Sequence, residues 1–65
     1  MNIILNGKAE TIAAPQNLQQ LLDQQGLTVG FAVMLNQQLI SRSQYGDTQL
    51  RDQDKIDIIV PMQGG

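Results

Sequence analysis

The chain opens on a short alternation. Over Asn2 to Asn6, Ile3 and Leu5 fall on one side of an extended backbone and Asn2, Ile4 and Asn6 on the other, which predicts a strand. Asn6-Gly7 follows, a pair well suited to a two-residue type I′ hairpin because both central positions need φ > 0. Lys8 to Ala14 is the predicted return strand. In that register Lys8 lies opposite Leu5 and Glu10 opposite Ile3, so two charges fall on the apolar side. Charges so placed suit an edge strand, where they discourage pairing with a further strand. Ile12 is the one core residue expected there.

Helical spacing then takes over. Leu18, Leu21 and Leu22 stand at i, i+3 and i+4 and make a narrow apolar stripe, predicting a helix over Asn17 to Gln25. Asn17 is a good N-cap, with Gln20 three residues on as in a capping box. Gly26 supplies the left-handed position that ends the helix, and Leu27 beyond it is placed for the accompanying apolar contact.

Phe31 to Leu35 returns to strand pattern, with Val33 and Leu35 as its core face. A tight Asn36-Gln37-Gln38 turn leads into a short strand at Leu39-Ile40. Ser41 to Thr48 is polar and predicted irregular, and Leu50 is a lone anchor before an Asp52-Gln53-Asp54 turn. The last strand, Lys55 to Val60, alternates Ile56, Ile58 and Val60 inward against Asp57 and Ile59 outward. Pro61 cannot donate a ladder hydrogen bond, so pairing is expected to stop near it and leave 61–65 as an extended tail.

The order β-β-α-β-β-β, with a hairpin, a crossover helix and a final strand returning beside the first, is the β-grasp plan. The expected fold class is α+β, a mixed sheet of four to five strands with one helix packed across one face. The other face then lies open. Ile4, Met34 and Ile59 alternate out of phase with the core on the first, third and last strands, which lie side by side in a β-grasp sheet. They are expected to form an exposed apolar patch beside the tail, and such a patch marks a partner-binding surface.

Composition narrows what such a domain can do. Sixty-five residues make one domain, 1–65, and a chain this short buries only about 60% of its unfolded surface, so a deep enclosed active site is not expected. There is no Cys and no His, hence no disulfide and no thiolate or imidazole metal ligand; 42% hydrophobic residues must hold the fold by packing alone. With a net charge of −2 and only four basic residues, a nucleic-acid backbone is a poor ligand. Phe31 and Tyr45 are too few for a base-stacking platform. No stretch reaches the roughly 20 apolar residues that span a bilayer, and the start lacks a basic-then-apolar signal pattern, so no membrane association and a cytoplasmic location are expected. The eleven glutamines are spread between apolar positions and read as solvated surface.

No side-chain catalyst is visible. Asp52 and Asp54 flank a turn, but two carboxylates do not make a cage for Mg²⁺ or Ca²⁺, and such residues usually bond their own backbone. Ser41-Arg42-Ser43 has neither a glycine-rich loop nor a helix N-terminus to help it hold a phosphate. The tail is different. With glycine at about 7% of residues, two in the last two places occur by chance about once in 200 chains. Gly64 and Gly65 have no Cβ, so their backbone can thread a narrow channel. Pro61 stiffens the tail's root, and Met62 and Gln63 give reach.

The sequence resembles the ThiS family, the ubiquitin-like sulfur carriers of bacterial thiamine biosynthesis, over its full length. The resemblance is carried by Ile3-Ile4-Leu5-Asn6-Gly7, Asn17-Leu18-Gln19-Gln20-Leu21-Leu22 and Ala32-Val33-Met34-Leu35-Asn36. It continues through Ile40-Ser41-Arg42-Ser43-Gln44-Tyr45, Leu50-Arg51-Asp52-Gln53-Asp54-Lys55-Ile56 and the final Gly64-Gly65. Departures fall in turns: the family commonly has Pro where Ser41 stands, Gly where Gln53 stands, and an aromatic residue, often Trp, near Tyr45.

The resemblance implies a carrier and not an enzyme. Its working group is the Gly65 carboxylate, adenylated with Mg-ATP by an E1-like enzyme of the ThiF type and converted to a thiocarboxylate. A cysteine desulfurase relay is the implied sulfur source, and a thiazole synthase of the ThiG type the implied acceptor. The chain itself is expected to bind no cofactor and no metal. Three alternatives stand beside this reading. A molybdopterin-synthase small-subunit-like carrier would use the same tail chemistry, although the short length and the Arg42-Ser43 region argue against it. A ubiquitin-like modifier would form isopeptide bonds, and a plain binding module would have an inert tail.

Overall fold

The computed structural model describes residues 1–27 and 30–60. The predicted tail, 61–65, therefore lies outside the described residues. The elements are β1 (Asn2–Leu5), β2 (Lys8–Thr11), α1 (Leu18–Gln24), β3 (Ala32–Leu35), β4 (Gln38–Ile40), a 3₁₀ helix at Arg42–Asp47, and β5 (Lys55–Ile59). The five strands form one mixed sheet in the order β2-β1-β5-β3-β4. β5 pairs parallel with β1 and antiparallel with β3, so the last strand is the centre of the sheet. This is the ubiquitin-like β-grasp fold.

Both hairpins are two-residue turns. Asn6 and Gly7 take φ of 51° and 80° and set Leu5 opposite Lys8, as the alternation required. Asn36 and Gln37 do the same at 51° and 69°, although Gln37 lacks the glycine that usually fills the second position. β4 accordingly begins one residue earlier than the sequence suggested, at Gln38. β2 is an edge strand and every one of its side chains is exposed, Lys8 and Glu10 included. It stops at Thr11 and not Ala14, although Met1 and Ile12 still exchange two hydrogen bonds beyond it. Ile12 packs half-buried against the core.

The helix is set as its caps demand. Asn17 and Gln20 form a reciprocal capping box, each side chain accepting from the other's backbone N–H at 2.8 Å. At the other end Gly26 stands at φ 75°, Gly26 N–H donates to Asp23 and Leu27 N–H to Leu22, a Schellman motif. Leu18, Leu21 and Leu22 are almost wholly buried against Ile3, Leu5, Val33 and Ile56 from the sheet. Each such side chain contributes about 1.5–3 kcal/mol through removal from water.

Two expectations are corrected. Ser41 to Thr48 is not irregular: Arg42–Asp47 is a 3₁₀ helix that buries Tyr45, whose ring stacks on Phe31 at 6.1 Å between centroids. With three residues per turn and a single apolar side chain, the segment has no periodicity to read. Val60 does not point inward: it is 56% exposed. The last rung of β5 on β3 is Ala32–Ile59, so Val60 falls beyond the sheet where no inner face remains. Leu50 is the anchor expected, buried and tied by its N–H to the Gln16 carbonyl at 2.9 Å.

Candidate functional site

The five residues read as the working tail, Pro61, Met62, Gln63, Gly64 and Gly65, lie outside the described residues. What the structure describes is the strand that leads to them. β5 is held on both flanks by asparagines from the two hairpin turns. Asn6 N–H donates to the Ile56 carbonyl at 2.8 Å, and Asn6 Oδ1 accepts from Ile58 N–H at 2.7 Å. On the opposite flank Asn36 N–H donates to the Lys55 carbonyl at 2.7 Å, and Asn36 Oδ1 accepts from Lys55 N–H at 2.9 Å. Asn36 Nδ2 donates in turn to Asp54 Oδ1 at 3.0 Å. Turn residues thus complete the ladder where the neighbouring strands have already ended.

The start of β5 is locked too. Asp54 Oδ2 accepts from Arg51 N–H at 2.8 Å, closing a turn in which Gln53 has φ 73°. Asp52 Oδ1 accepts from Asn2 N–H at 2.6 Å, and Gln53 N–H donates to the Asn2 carbonyl at 2.6 Å. The Asn2 hydrogen bond, helped by the Gln53 side chain, holds the Asp52 carboxyl below its ordinary 3.8. Both aspartates therefore serve the turn. Among the described residues no group of three His, Cys, Asp or Glu gathers to hold a metal, and no cavity opens. The only buried polar side chain described is Gln16.

The face of the sheet away from α1 is where apolar side chains meet water. Register places Ile4 between Ala9 and Lys55, Met34 between Asp57 and Leu39, and Ile59 beside Ala32. Ile4 and Ile59 are 36% and 50% exposed, and Met34 is half-buried. The three share this face without forming one continuous patch, because Lys55 and Asp57 stand between Ile4 and Ile59 along β5. Leu39, 67% exposed, extends the face onto β4 and was not expected from sequence. Leu39-Ile40 is too short to show alternation; only its pairing with Met34 reveals which side it takes.

This arrangement, a β-grasp sheet whose central strand leads out to a pair of terminal glycines, can be set against known proteins. The ThiS family model matches residues 3–65. The chain belongs to the ThiS family. Solved structures agree. The crystal structure of the thiamine biosynthesis protein ThiS from Geobacter metallireducens is 29% identical, with all of both chains covered and a TM-score of 0.85. A solution structure of a thiamine biosynthesis protein from the same organism is also 29% identical, covering all of this chain and 88% of that one at a TM-score of 0.86. No curated protein matches. ThiS-family proteins are small sulfur carriers of thiamine biosynthesis, and membership makes this chain a carrier in that pathway. Among the described residues of this ThiS-family chain, no helix is long and apolar enough to cross a membrane.

Proposed function

We propose that the Gly65 carboxylate is the sulfur-bearing group and that the folded body presents it to other proteins. A carboxylate resists nucleophiles because it is negatively charged and resonance-stabilised. Adenylation with Mg-ATP by a ThiF-type enzyme releases pyrophosphate and leaves AMP as a good leaving group on the Gly65 carbonyl. A persulfide from a cysteine desulfurase relay attacks that carbonyl and expels AMP. A second thiol then takes the outer half of the acyl disulfide as a mixed disulfide and frees the thiocarboxylate. The thiocarboxylate is a soft nucleophile and delivers its sulfur to the electrophilic carbon offered by a ThiG-type thiazole synthase. The reactive sulfur rides on the main chain, so a chain without Cys carries it.

The observation that carries this reading is the position of β5. The strand that feeds the tail is the best-anchored of the sheet, paired on both sides along its length. Pro61 as a stiff root, Met62 and Gln63 as reach and Gly64 with Gly65 as the thread follow it in sequence. Ile4, Met34 and Ile59, with Leu39, form the docking face for the partner enzymes. The carrier works in the cytoplasm, binds no cofactor itself, and is a co-substrate and not a catalyst.

Intact-mass measurement after incubation with the activating enzyme, Mg-ATP and a persulfide donor tests this. The expected product gains the mass of one sulfur for one oxygen, located at Gly65, and a chain lacking Gly65 gains nothing. Isopeptide ladders instead of a mass gain would make the protein a modifier. Thiazole formation supported by the chain lacking Gly65 would refute the tail chemistry.

A further inference from the structure

The face opposite the helix carries a charge pattern that its apolar residues conceal. Asp57 sits on the central strand, half-buried, with Met34 as its cross-strand neighbour on β3 and Ile59 two residues further along β5. Lys55 lies two residues the other way, about 6.5–7 Å distant along the strand, beside Ile4. Neither Lys55 Nζ nor the Asp57 carboxylate has a hydrogen-bond partner among the described residues; β5 is tied by its backbone alone. Asp52 and Asp54, by contrast, are used up by their turn. Asp57 is thus a carboxylate at the centre of an apolar surface with nothing inside the molecule to satisfy it.

Covering that surface strips water from Asp57. A desolvated carboxylate without a partner is costly, and one matched by a cationic donor is a strong determinant of specificity. An apolar residue at position 57 would have served a purely apolar contact better. The occupant must therefore bring a cation. Face area argues against a stable second copy. Five strands about 4.8 Å apart and about four residues long present about 300 Å², well under the roughly 800 Å² per partner of a lasting interface. A contact of that size suits a partner that releases its cargo.

We propose that Asp57 is the specificity-determining anchor of this face and pairs with an arginine or lysine of the adenylating enzyme, the apolar residues around it excluding water. This rests on the proposed tail chemistry. The pairing acts on docking, remote from Gly65, so it governs how much carrier is bound and not the rate of the bound complex.

The test is steady-state adenylation, followed as ATP–pyrophosphate exchange, with the full chain and its Asp57→Asn and Asp57→Lys variants. Thermal melting first establishes that each variant is folded. Asp57→Asn is isosteric and removes no internal bond, so it keeps the experiment decisive should Asp57→Lys fail to fold. KM for the carrier is expected to rise about tenfold or more in Asp57→Asn and further in Asp57→Lys, with kcat unchanged. The wild-type kcat/KM is expected to fall with added salt, and that of Asp57→Asn to fall less. A KM within twofold of wild type in Asp57→Asn overturns the proposal while leaving the tail chemistry intact. So does a wild-type chain that sediments as a stable dimer broken by Asp57→Lys. A wild-type chain that supports no exchange overturns both readings together.

Discussion

Asn6 Oδ1 accepts the Ile58 main-chain N–H at 2.7 Å, in the place where the carbonyl of a continuing β1 would have stood. In a parallel ladder one residue donates its N–H to the neighbouring strand and accepts, at its carbonyl, from the residue two further on. Asn6 does the first with its backbone, to Ile56, and the second with its side chain. It can do both because φ of 51° has already turned the main chain away into the hairpin. One residue thereby ends β1 and continues its pairing with β5 toward the tail.

Replacing Asn6 with Gly isolates that bond, because Gly accepts the positive φ without strain. Asn6→Gly is expected to cost about 1 kcal/mol in urea unfolding, and to speed amide exchange at Ile58 more than at Ile56. Equal exchange at the two amides would mean that the side chain contributes nothing to the ladder.

Two non-glycine residues sit at left-handed positions where glycine is the natural occupant, Gln37 at φ 69° and Gln53 at φ 73°. The left-handed penalty for an L-residue is about 1–2 kcal/mol, and glycine's greater chain entropy returns part of it. Gln37→Gly and Gln53→Gly are each expected to stabilise by about 0.5–1 kcal/mol and to raise the melting temperature. The sites lie in separate turns, so the double variant should show additive gains.

Asp52 supplies a pH dependence with a definite sign. The folded chain holds its carboxyl below 3.8, so the fold favours the charged form. The associated stability is present above 3.8 and is lost as pH falls through the lower folded value. Melting temperature should decline in that acid window. In Asp52→Asn, which keeps an acceptor for Asn2 N–H but cannot titrate, the decline should be shallower.

Core and open face should respond differently to substitution. Leu21 is 1% exposed, and Leu21→Ala is expected to cost about 2–5 kcal/mol, a large part of the stability of so small a domain. Ile59 is 50% exposed, and Ile59→Asp is expected to cost about 1 kcal/mol or less while weakening adenylation of the carrier. Far-ultraviolet circular dichroism with a melting curve separates the two effects. Unfolding of Ile59→Asp would place that side chain in the core.

Much of this fold is legible from local chemistry. Asn6-Gly7, the Asn17–Gln20 box and Gly26 each specify a turn or helix end within a few residues, and each forms as its chemistry demands. The Leu18, Leu21 and Leu22 stripe and the Ile56–Ile58 alternation announce their buried faces by period. What escaped depends on long-range pairing. Tyr45 is buried because Phe31, fourteen positions earlier, offers its ring; Val60 is exposed because β3 has no rung left for it. Leu39 joins the open face only through its register with Met34. Of the docking residues, Ile4, Met34 and Ile59 could be assigned their side by alternation, whereas the charges interleaved with them emerged from the strand order.

The central place of β5 also decides how the domain bears a pull. A partner drawing on Val60 loads the strand lengthwise, roughly across the bonds it makes to β1 on one flank and β3 on the other. Those bonds must then slip together and cannot be peeled one after another. The carrier can be hauled by its end into a tight channel and still come out intact, ready for another round.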